Sequence, residues 1–412
     1  MALNLKAGGA ARGLLYIGSS SAAAQIVGII AVPLLARLYS PESFGVYAAI
    51  MAVVTIFSVV GPVRLDSGIQ VASDGDASLM FFVSIATTLV AGVLCCIVLA
   101  FTGIVPGVAF SPGLCTFVLV LVVTAGLYAV LSNYVLRARR YGDVARRNFL
   151  RQVGTTGGQL GCAFGIMHSF GLLLGTAFGQ LLGVLVFAGR GRELFEEARR
   201  AKWSWRRLRR YWRFPILFTP SALLNAVGVQ IPLLFVARYF GHSAGGNLSQ
   251  GLRIGAAPAL VIGASFASVV VAEIATRVRS GERHQRVRFM KATKGLFAVG
   301  LLWFVALAFI APSVLPWLLG RGWEDAGRFT QSIAVSSSAS LMVAPLSAVL
   351  IVYERAFTTL ILDIARIALT LGAGYFGLLA GWGAVETSGL IAGASALVYG
   401  TTWWICLYTV SR

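Results

Sequence analysis

The sequence predicts an all-α polytopic membrane protein, with about twelve transmembrane helices in two six-helix lobes. Three observations predict it. First, the 412 residues are 58% hydrophobic and only 12% charged, with a mean hydropathy of +0.82, whereas an ordinary soluble domain is about one quarter charged. Second, apolar runs long enough to cross a bilayer, about 20 residues each, recur along the whole length. Third, one basic stretch interrupts them. Residues 190–213 read RGRELFEEARRAKWSWRRLRRYWR and hold ten Lys and Arg. The domain organisation that follows is an N-terminal lobe over 1–189, a basic amphipathic cytoplasmic linker over 190–213, and a C-terminal lobe over 214–412.

In chain order, the spans before the linker begin near Leu14, Gly45, Leu79, Leu114, Asn148 and Phe170. The run from Leu14 to Leu38 is too long for a signal-peptide core and is expected to remain as a helix. Dividing residues 148–189 into two spans rests on the His168-Ser169 break and the glycines around it. In the linker, Trp203, Trp205, Tyr211 and Trp212 interleave with the arginines. That mixture suits a membrane–water interface on the anionic cytoplasmic leaflet. Apolar flanks that belong in lipid argue against nucleic-acid binding. After the linker, spans begin near Phe214, Ser249, Met290, Phe329, Thr358 and Ala384. Pro215, Pro220 and Pro232 invite bending in the seventh.

The net charge of +19 has a direction. With the N-terminus inside, residues 137–151, the linker and residues 277–294 hold six, ten and seven Lys and Arg on the cytoplasmic side. Only Arg37, Arg238, Arg253, Arg321 and Arg328 fall outside, five of the 34. The positive-inside rule then places both termini in the cytoplasm. All outside loops are short, which excludes an extracytoplasmic catalytic domain. No Ser/His/Asp set, HExxH motif or phosphate-cradling glycine loop stands out. Cys95, Cys96, Cys115, Cys162 and Cys406 lie in apolar runs without metal-ligand spacing and read as small core residues. No cofactor or metal is expected.

Ionisable residues inside spans are costly and mark candidate sites. Arg64 and Asp66 follow Gly61-Pro62 in the second span, Arg253 opens the eighth, and Asp363 and Arg366 lie in the eleventh, with Glu273 and Glu386 at span ends. Thr359, Asp363, Arg366 and Thr370 step by four, three and four, so they share one helix face, which Gly374 and Gly377 continue. Asp363 and Arg366 can also pair at i,i+3. Two readings stand open: a neutralised pair that holds helices together, or a cavity-lining cation beside a titratable carboxylate. Polar lines recur elsewhere: Gly18, Ser21, Gln25 and Gly28; Gln152, Thr155, Gln159 and Cys162; Ser221 and Asn225; Ser332, Ser336 and Ser340. Such lines often tie helices together, yet their presence in both halves suggests a polar central cleft. The halves also echo each other. Pro33-Leu34-Leu35 with Ala36-Arg37 matches Pro232-Leu233-Leu234 with Ala237-Arg238, and Gly45 and Gly246 each follow their arginine by eight residues. This fits two parallel repeats.

At this point the residues are familiar. The run Ala36-Arg37-Leu38-Tyr39-Ser40-Pro41-Glu42-Ser43-Phe44-Gly45-Val46-Tyr47 resembles the signature of bacterial polysaccharide and O-antigen (Wzx-type) flippases, in the multidrug/oligosaccharidyl-lipid/polysaccharide exporter superfamily. Arg64-Leu65-Asp66, Phe214-Pro215, and the run from Gly320 to Gly327 with Trp323, Ala326 and Gly327 are similar to further motifs of that family. Gly246-Asn247 departs from its pattern. The resemblance implies a V-shaped transporter, like the multidrug exporters of the superfamily, in the bacterial inner membrane. It would work by alternating access on an undecaprenyl-pyrophosphate-linked oligosaccharide for O-antigen, exopolysaccharide or capsule biosynthesis. Arg64, Arg253 and Arg366 would meet the pyrophosphate, because arginine's fork of donors matches phosphate oxygens. Gln25, Gln159 and Asn225 would bond sugar hydroxyls. Asp66 and Asp363 would serve as coupling or ion-pair groups, with a proton or sodium gradient as the driving force left open. Membrane lipids, and a polysaccharide polymerase and ligase, are the further partners. The rivals are a cation-coupled multidrug exporter or lipid II flippase of the same superfamily and, behind them, a membrane glycosyltransferase or polymerase. Three arginines against two aspartates argue against the drug exporter, and short outside loops argue against the enzymes.

Overall fold

A computed structural model describes residues 20, 23–70, 72–103, 105–108, 111–138, 140–164, 170–187, 204–258, 285–353 and 355–411, and among them every regular element is a helix. Gly18, Ser21, His168, Ser169, Glu273, and the linker as far as Trp203 lie outside the described residues. Among the described residues, seven helical segments are long and apolar enough to cross a membrane: Pro41–Val60, Gly75–Thr102, Pro112–Arg137, Phe214–Tyr239, Arg286–Leu319, Phe357–Leu379 and Ala384–Ser411. Ala23–Leu38, Gly171–Leu185 and Ala334–Ser347 are shorter apolar helices. Leu302, Phe309 and Trp404 stay exposed on such helices, as lipid-facing side chains do.

By contact the chain forms two units. Unit 1 holds Met1–Tyr39 and Val46–Ala226; unit 2 holds Ser40–Gly45 and Val227–Arg412. The helices of the first half are α1 (Ala23–Leu38), α2 (Pro41–Val60), the single turn α3 (Leu65–Gly68), α4 (Asp74–Thr102), α5 (Pro112–Arg137), α6 (Tyr141–Cys162), α7 (Gly171–Leu185) and the short α8 (Trp205–Arg209). Local chemistry sets their ends. Ser111 caps α5 by accepting from Leu114 N at 3.3 Å, with Pro112 in its first turn, where a missing N–H costs nothing. Gly103 closes α4 in the left-handed conformation, as C-terminal glycines do. The stretch 148–189 is indeed two helices, α6 and α7. They pack so closely that a side chain on Gly175 would collide with the Gln159 backbone.

The second half opens with a π-helical turn, Phe214–Phe218, which leads into α9 (Thr219–Tyr239) with Pro232 inside it. Then come α10 (His242–Pro258), α11 (Arg286–Val305), a second π turn (Ala306–Ile310), α12 (Ala311–Leu319), α13 (Ala326–Ser332), α14 (Ala334–Ser347), α15 (Val349–Val352), α16 (Ala356–Leu379) and α17 (Ala384–Ser411). The core of unit 1 gathers Leu65, Ile69, Met80, Phe81 and Val130; one core of unit 2 gathers Phe289, Leu346, Val349 and Cys406.

Two expectations need correcting. Arg64 and Asp66 are not inside the second span. Gly61-Pro62 ends α2, residues 61–64 form a turn, and Asp66 sits in α3 beyond it, because proline cannot continue the helical ladder. The fifth span, expected to begin near Asn148, starts earlier as well. α5 runs to Arg137 and α6 starts at Tyr141, so Arg146, Arg147 and Arg151 are helical.

Candidate functional site

Each unit has its own polar centre. In unit 1 it starts at the break after α2. Val63 and Arg64 both take the left-handed backbone, φ 45° and 56°. For a β-branched residue such as Val63 this is a strained state, of the kind that surrounding structure must hold in place. Pro62 O accepts from Leu65 N at 3.1 Å, and Val63 N donates to Val60 O at 2.8 Å. The turn delivers Asp66 to a buried position, where its Oδ2 accepts from Asn133 Nδ2 at 3.0 Å. Asn133 Oδ1 in turn accepts from Gln70 Nε2 at 2.5 Å. Arg137, one turn on along α5, donates to Ile69 O at 2.8 Å and also to Ala72 O. Arg64 is partly exposed beside this network; burial pushes the Asp66 carboxyl's pKa up, and the nearby Arg64 charge opposes that shift without cancelling it.

A second cluster of unit 1 lies where α5 meets α6. Arg147 is 2% exposed. Its guanidinium carbon stands 3.6 Å from the centre of the Tyr128 ring, and that of Arg151 stands 4.9 Å from the same centre. Arg147 donates to Tyr128 O at 3.1 Å, to Asn148 Oδ1 at 3.0 Å, and to Ser132 Oγ. Tyr128 OH also donates to Asn148 Oδ1, at 2.6 Å.

In unit 2 the centre is α16. Arg366 Nη2 donates to Asp363 Oδ1 at 2.8 Å, with side chains 10% and 9% exposed. Thr370 on the same face is fully buried. The guanidinium rests on α9: a side chain on Gly228 would come within 2.9 Å of Arg366 Nε. Farther along, Gly374 leaves room for the Phe235 ring, and Tyr239 and Tyr375 join their hydroxyls at 3.1 Å.

Of the residues singled out in the sequence, the structure thus joins Asp363 to Arg366 and sets Arg64 beside Asp66. Gln159 is elsewhere. Its side-chain amide donates to Leu172 O at 3.2 Å and to Thr176 Oγ1 at 3.1 Å, and its backbone carbonyl accepts from Tyr39 OH at 2.7 Å. It ties α6 to α7 and has no donor left for a sugar. Gln25 is half-buried on α1, while Asn225 on α9 and Arg253 on α10 have exposed side chains. Tyr128, Ser132, Asn133 and Arg147 were not singled out. Asn133 alone within an apolar run, with Arg137 one turn away, was the available signal for that network.

The sequence motifs turn out to be packing devices. In unit 2, Phe44 meets Trp323 edge-on at 5.3 Å between ring centres, and Trp323 is fully buried. A side chain on Gly45 would overlap the carbonyl of His242, and one on Gly246 would overlap the carbonyl of Pro41. The two glycines matched in the repeat therefore serve one close helix crossing. Glu324 accepts from Gly322 N at 2.9 Å, which lowers its pKa. At the linker's end, Tyr211 OH donates to Asp76 Oδ2 at 3.1 Å. Burial first, and this carboxylate second, push the phenol's pKa up.

Comparison with known proteins agrees with this architecture. An inward-facing multidrug resistance transporter of the MATE family, MOP superfamily, superposes with a TM-score of 0.66 over 94% of each chain at 17% identity. A MOP superfamily transporter from Pyrococcus furiosus, described as having a binding pocket of reversed polarity, gives a TM-score of 0.61 at 15% identity, over 97% of this chain and 95% of that one. These likenesses show the fold. The succinoglycan biosynthesis transport protein ExoT of Rhizobium meliloti (strain 1021) is 22% identical over 320 residues, which is 74% of this chain and 62% of that protein. Residues 34–328 match the family described as polysaccharide biosynthesis protein. The chain is therefore a multi-pass membrane protein that belongs to the polysaccharide biosynthesis protein family, with the MOP-superfamily fold.

Proposed function

We propose that this protein is a transporter, not an enzyme, and that it moves a polyprenyl-pyrophosphate-linked oligosaccharide across the bacterial inner membrane, with both termini cytoplasmic. The observation that carries the reading is the company kept by two buried carboxylates. Asp363 is bound by Arg366 at 2.8 Å, and Asp66 lies two residues from Arg64 and accepts from Asn133. A binder of lipophilic cations needs a carboxylate whose charge is available. Here both carboxylates have an arginine neighbour, and Arg253, the third arginine of the set, tips the balance of charge to positive. That balance suits an anion, since pyrophosphate cannot enter a low-dielectric region without compensating charge. Within unit 2, Arg366 is the donor we assign to it, with Arg253 as an outer contact; Arg64 is the candidate donor of unit 1. Gln25 and Asn225 are left to meet sugar hydroxyls, whereas Gln159 holds the α6–α7 seam. The family match and the succinoglycan transport relative support a saccharide cargo.

The test is binding. The purified protein in nanodiscs is titrated with a short-chain polyprenyl-pyrophosphate sugar and, in parallel, with a lipophilic drug cation. Binding of the anion, weakened by Arg64→Ala and Arg366→Ala, is the expected result. Binding of the cation alone, lost in Asp363→Asn, would move the protein to the drug exporters.

A further inference from the structure

We infer that unit 1 carries a phosphate-type oxyanion site, built from Arg147 and Arg151 around the Tyr128 ring. The inference stands on unit 1 alone and does not depend on the cargo being a glycolipid. Its first support is charge. Two guanidinium groups stand over one aromatic ring, at 3.6 and 4.9 Å from its centre. Among the described residues no carboxylate pairs with either; the ion pairs there are Asp325 with Arg328 and Asp363 with Arg366. Arg147 is 98% buried and its Nε has no hydrogen-bond partner; the Nε of Arg151 has none either. The groups around Arg147 are neutral: a ring, a carbonyl, a hydroxyl and an amide oxygen. A ring face contributes about 2 kcal/mol to a desolvated cation. A buried charge costs several kcal/mol to desolvate. Two adjacent positive charges therefore call for an anion from outside the protein. Arg151 is partly exposed, so it is the arm that such an anion reaches first. Its stem lies along Gly183 of α7, where a side chain would come within 3.1 Å of it.

The second support is the internal repeat. α6 starts at Tyr141 and α16 at Ala356. Counted from those starts, Asn148 corresponds to Asp363, Arg151 to Arg366 and Thr155 to Thr370. Both helices carry the same pattern, Asn/Asp-x-x-Arg-x-x-x-Thr. In unit 2 the carboxylate of the pattern neutralises its arginine at 2.8 Å. In unit 1 the matching residue is an amide, and Arg147 adds a second cation one residue before it. Matched positions thus hold an ion pair in one unit and uncompensated positive charge in the other. Phosphate oxygens are the natural complement, since two guanidinium groups offer several charge-assisted hydrogen bonds. The ligand is a phosphate or pyrophosphate group, whether free or on a lipid.

The test uses the full-length protein in phosphatidylcholine nanodiscs. One arm titrates inorganic pyrophosphate. The other adds phosphatidylglycerol to the nanodiscs and reads bound lipid by native mass spectrometry. Asn148→Asp copies the unit 2 pattern and supplies the missing carboxylate, so it should fold at least as well as the wild type. Asn148→Asp and Arg151→Gln should each weaken anion binding about tenfold or more, as expected for losing one charge-assisted hydrogen bond. Arg146→Gln, on the exposed side of the same helix, should leave it unchanged. Binding of pyrophosphate marks a free or cargo phosphate as the ligand, and binding of phosphatidylglycerol alone marks a lipid headgroup; either supports the site. Binding of neither, wild-type binding in Asn148→Asp, or an equal loss in Arg146→Gln overturns it. Glycolipid transport that persists while Asn148→Asp has no effect would remove this site and leave the transport reading intact.

Discussion

Asp363→Asn separates the two roles open to the α16 pair. In the wild type Arg366 Nη2 sits 2.8 Å from Asp363 Oδ1, with both side chains about nine-tenths buried. The substitution keeps an oxygen acceptor of the same size and removes the negative charge. It takes the carboxylate charge away from the buried guanidinium beside Gly228. Removing one partner of a buried ion pair costs about 3–5 kcal/mol, mostly as the penalty of the charge left behind. Retention of the acceptor puts this variant near the lower end. Arg366→Gln leaves the opposite charge behind and should cost a similar amount. The double variant removes both members of the pair and should lose less than the sum, with a coupling of about 2 kcal/mol or more, within the range for residues in contact. The assay is unfolding in mixed detergent micelles by increasing SDS, for the wild type, both single variants and the double variant. Single variants as stable as the wild type, or a double variant that loses the full sum, would refute the pairing argument.

Other consequences can be checked separately. Gly246→Val should disrupt the α2–α10 crossing, because a side chain there overlaps the Pro41 carbonyl; overpacking of this kind costs about 1–3 kcal/mol or more, read as a lower melting temperature. Gln159→Ala should destabilise by about 1–3 kcal/mol, because Thr176 and the Leu172 carbonyl lose a buried partner, yet leave anion binding unchanged once folded. A cysteine introduced at position 42 of a cysteine-free background should react with an impermeant reagent from outside the cell, and one at position 204 should not; the reverse pattern would invert the orientation.

Much of the architecture was readable from hydropathy. Spans predicted near Phe214, Thr358 and Ala384 match helices that begin at those residues or within two of them, because a lipid-facing helix must be apolar along its length. The shared face of Thr359, Asp363, Arg366 and Thr370 was readable because helical spacing is fixed at 3.6 residues per turn. What failed was partnership. Nothing in local sequence says that Gln159 spends its amide on α7, 13 and 17 residues away. Arg147 read as one more positive charge in a cytoplasmic segment, since the ring that holds it lies 19 residues earlier on α5. The run from Ala36 to Tyr47 was readable as a family motif, but not as a contact of Phe44 with Trp323, 279 positions apart. Gly61-Pro62 signalled a break, but not that it would carry Val63 and Arg64 into the left-handed region.

The central claim is that the cargo is a pyrophosphate-linked saccharide. The most direct measurement is translocation in proteoliposomes of a fluorescent short-chain polyprenyl-pyrophosphate sugar, with quenching from one side to count flipped molecules. The account predicts flipping by the wild type, faster than in protein-free vesicles, and its loss in Arg64→Ala and Arg366→Ala variants that insert normally. Flipping at the protein-free rate, together with active transport of a lipophilic cation by the same preparation, would contradict it.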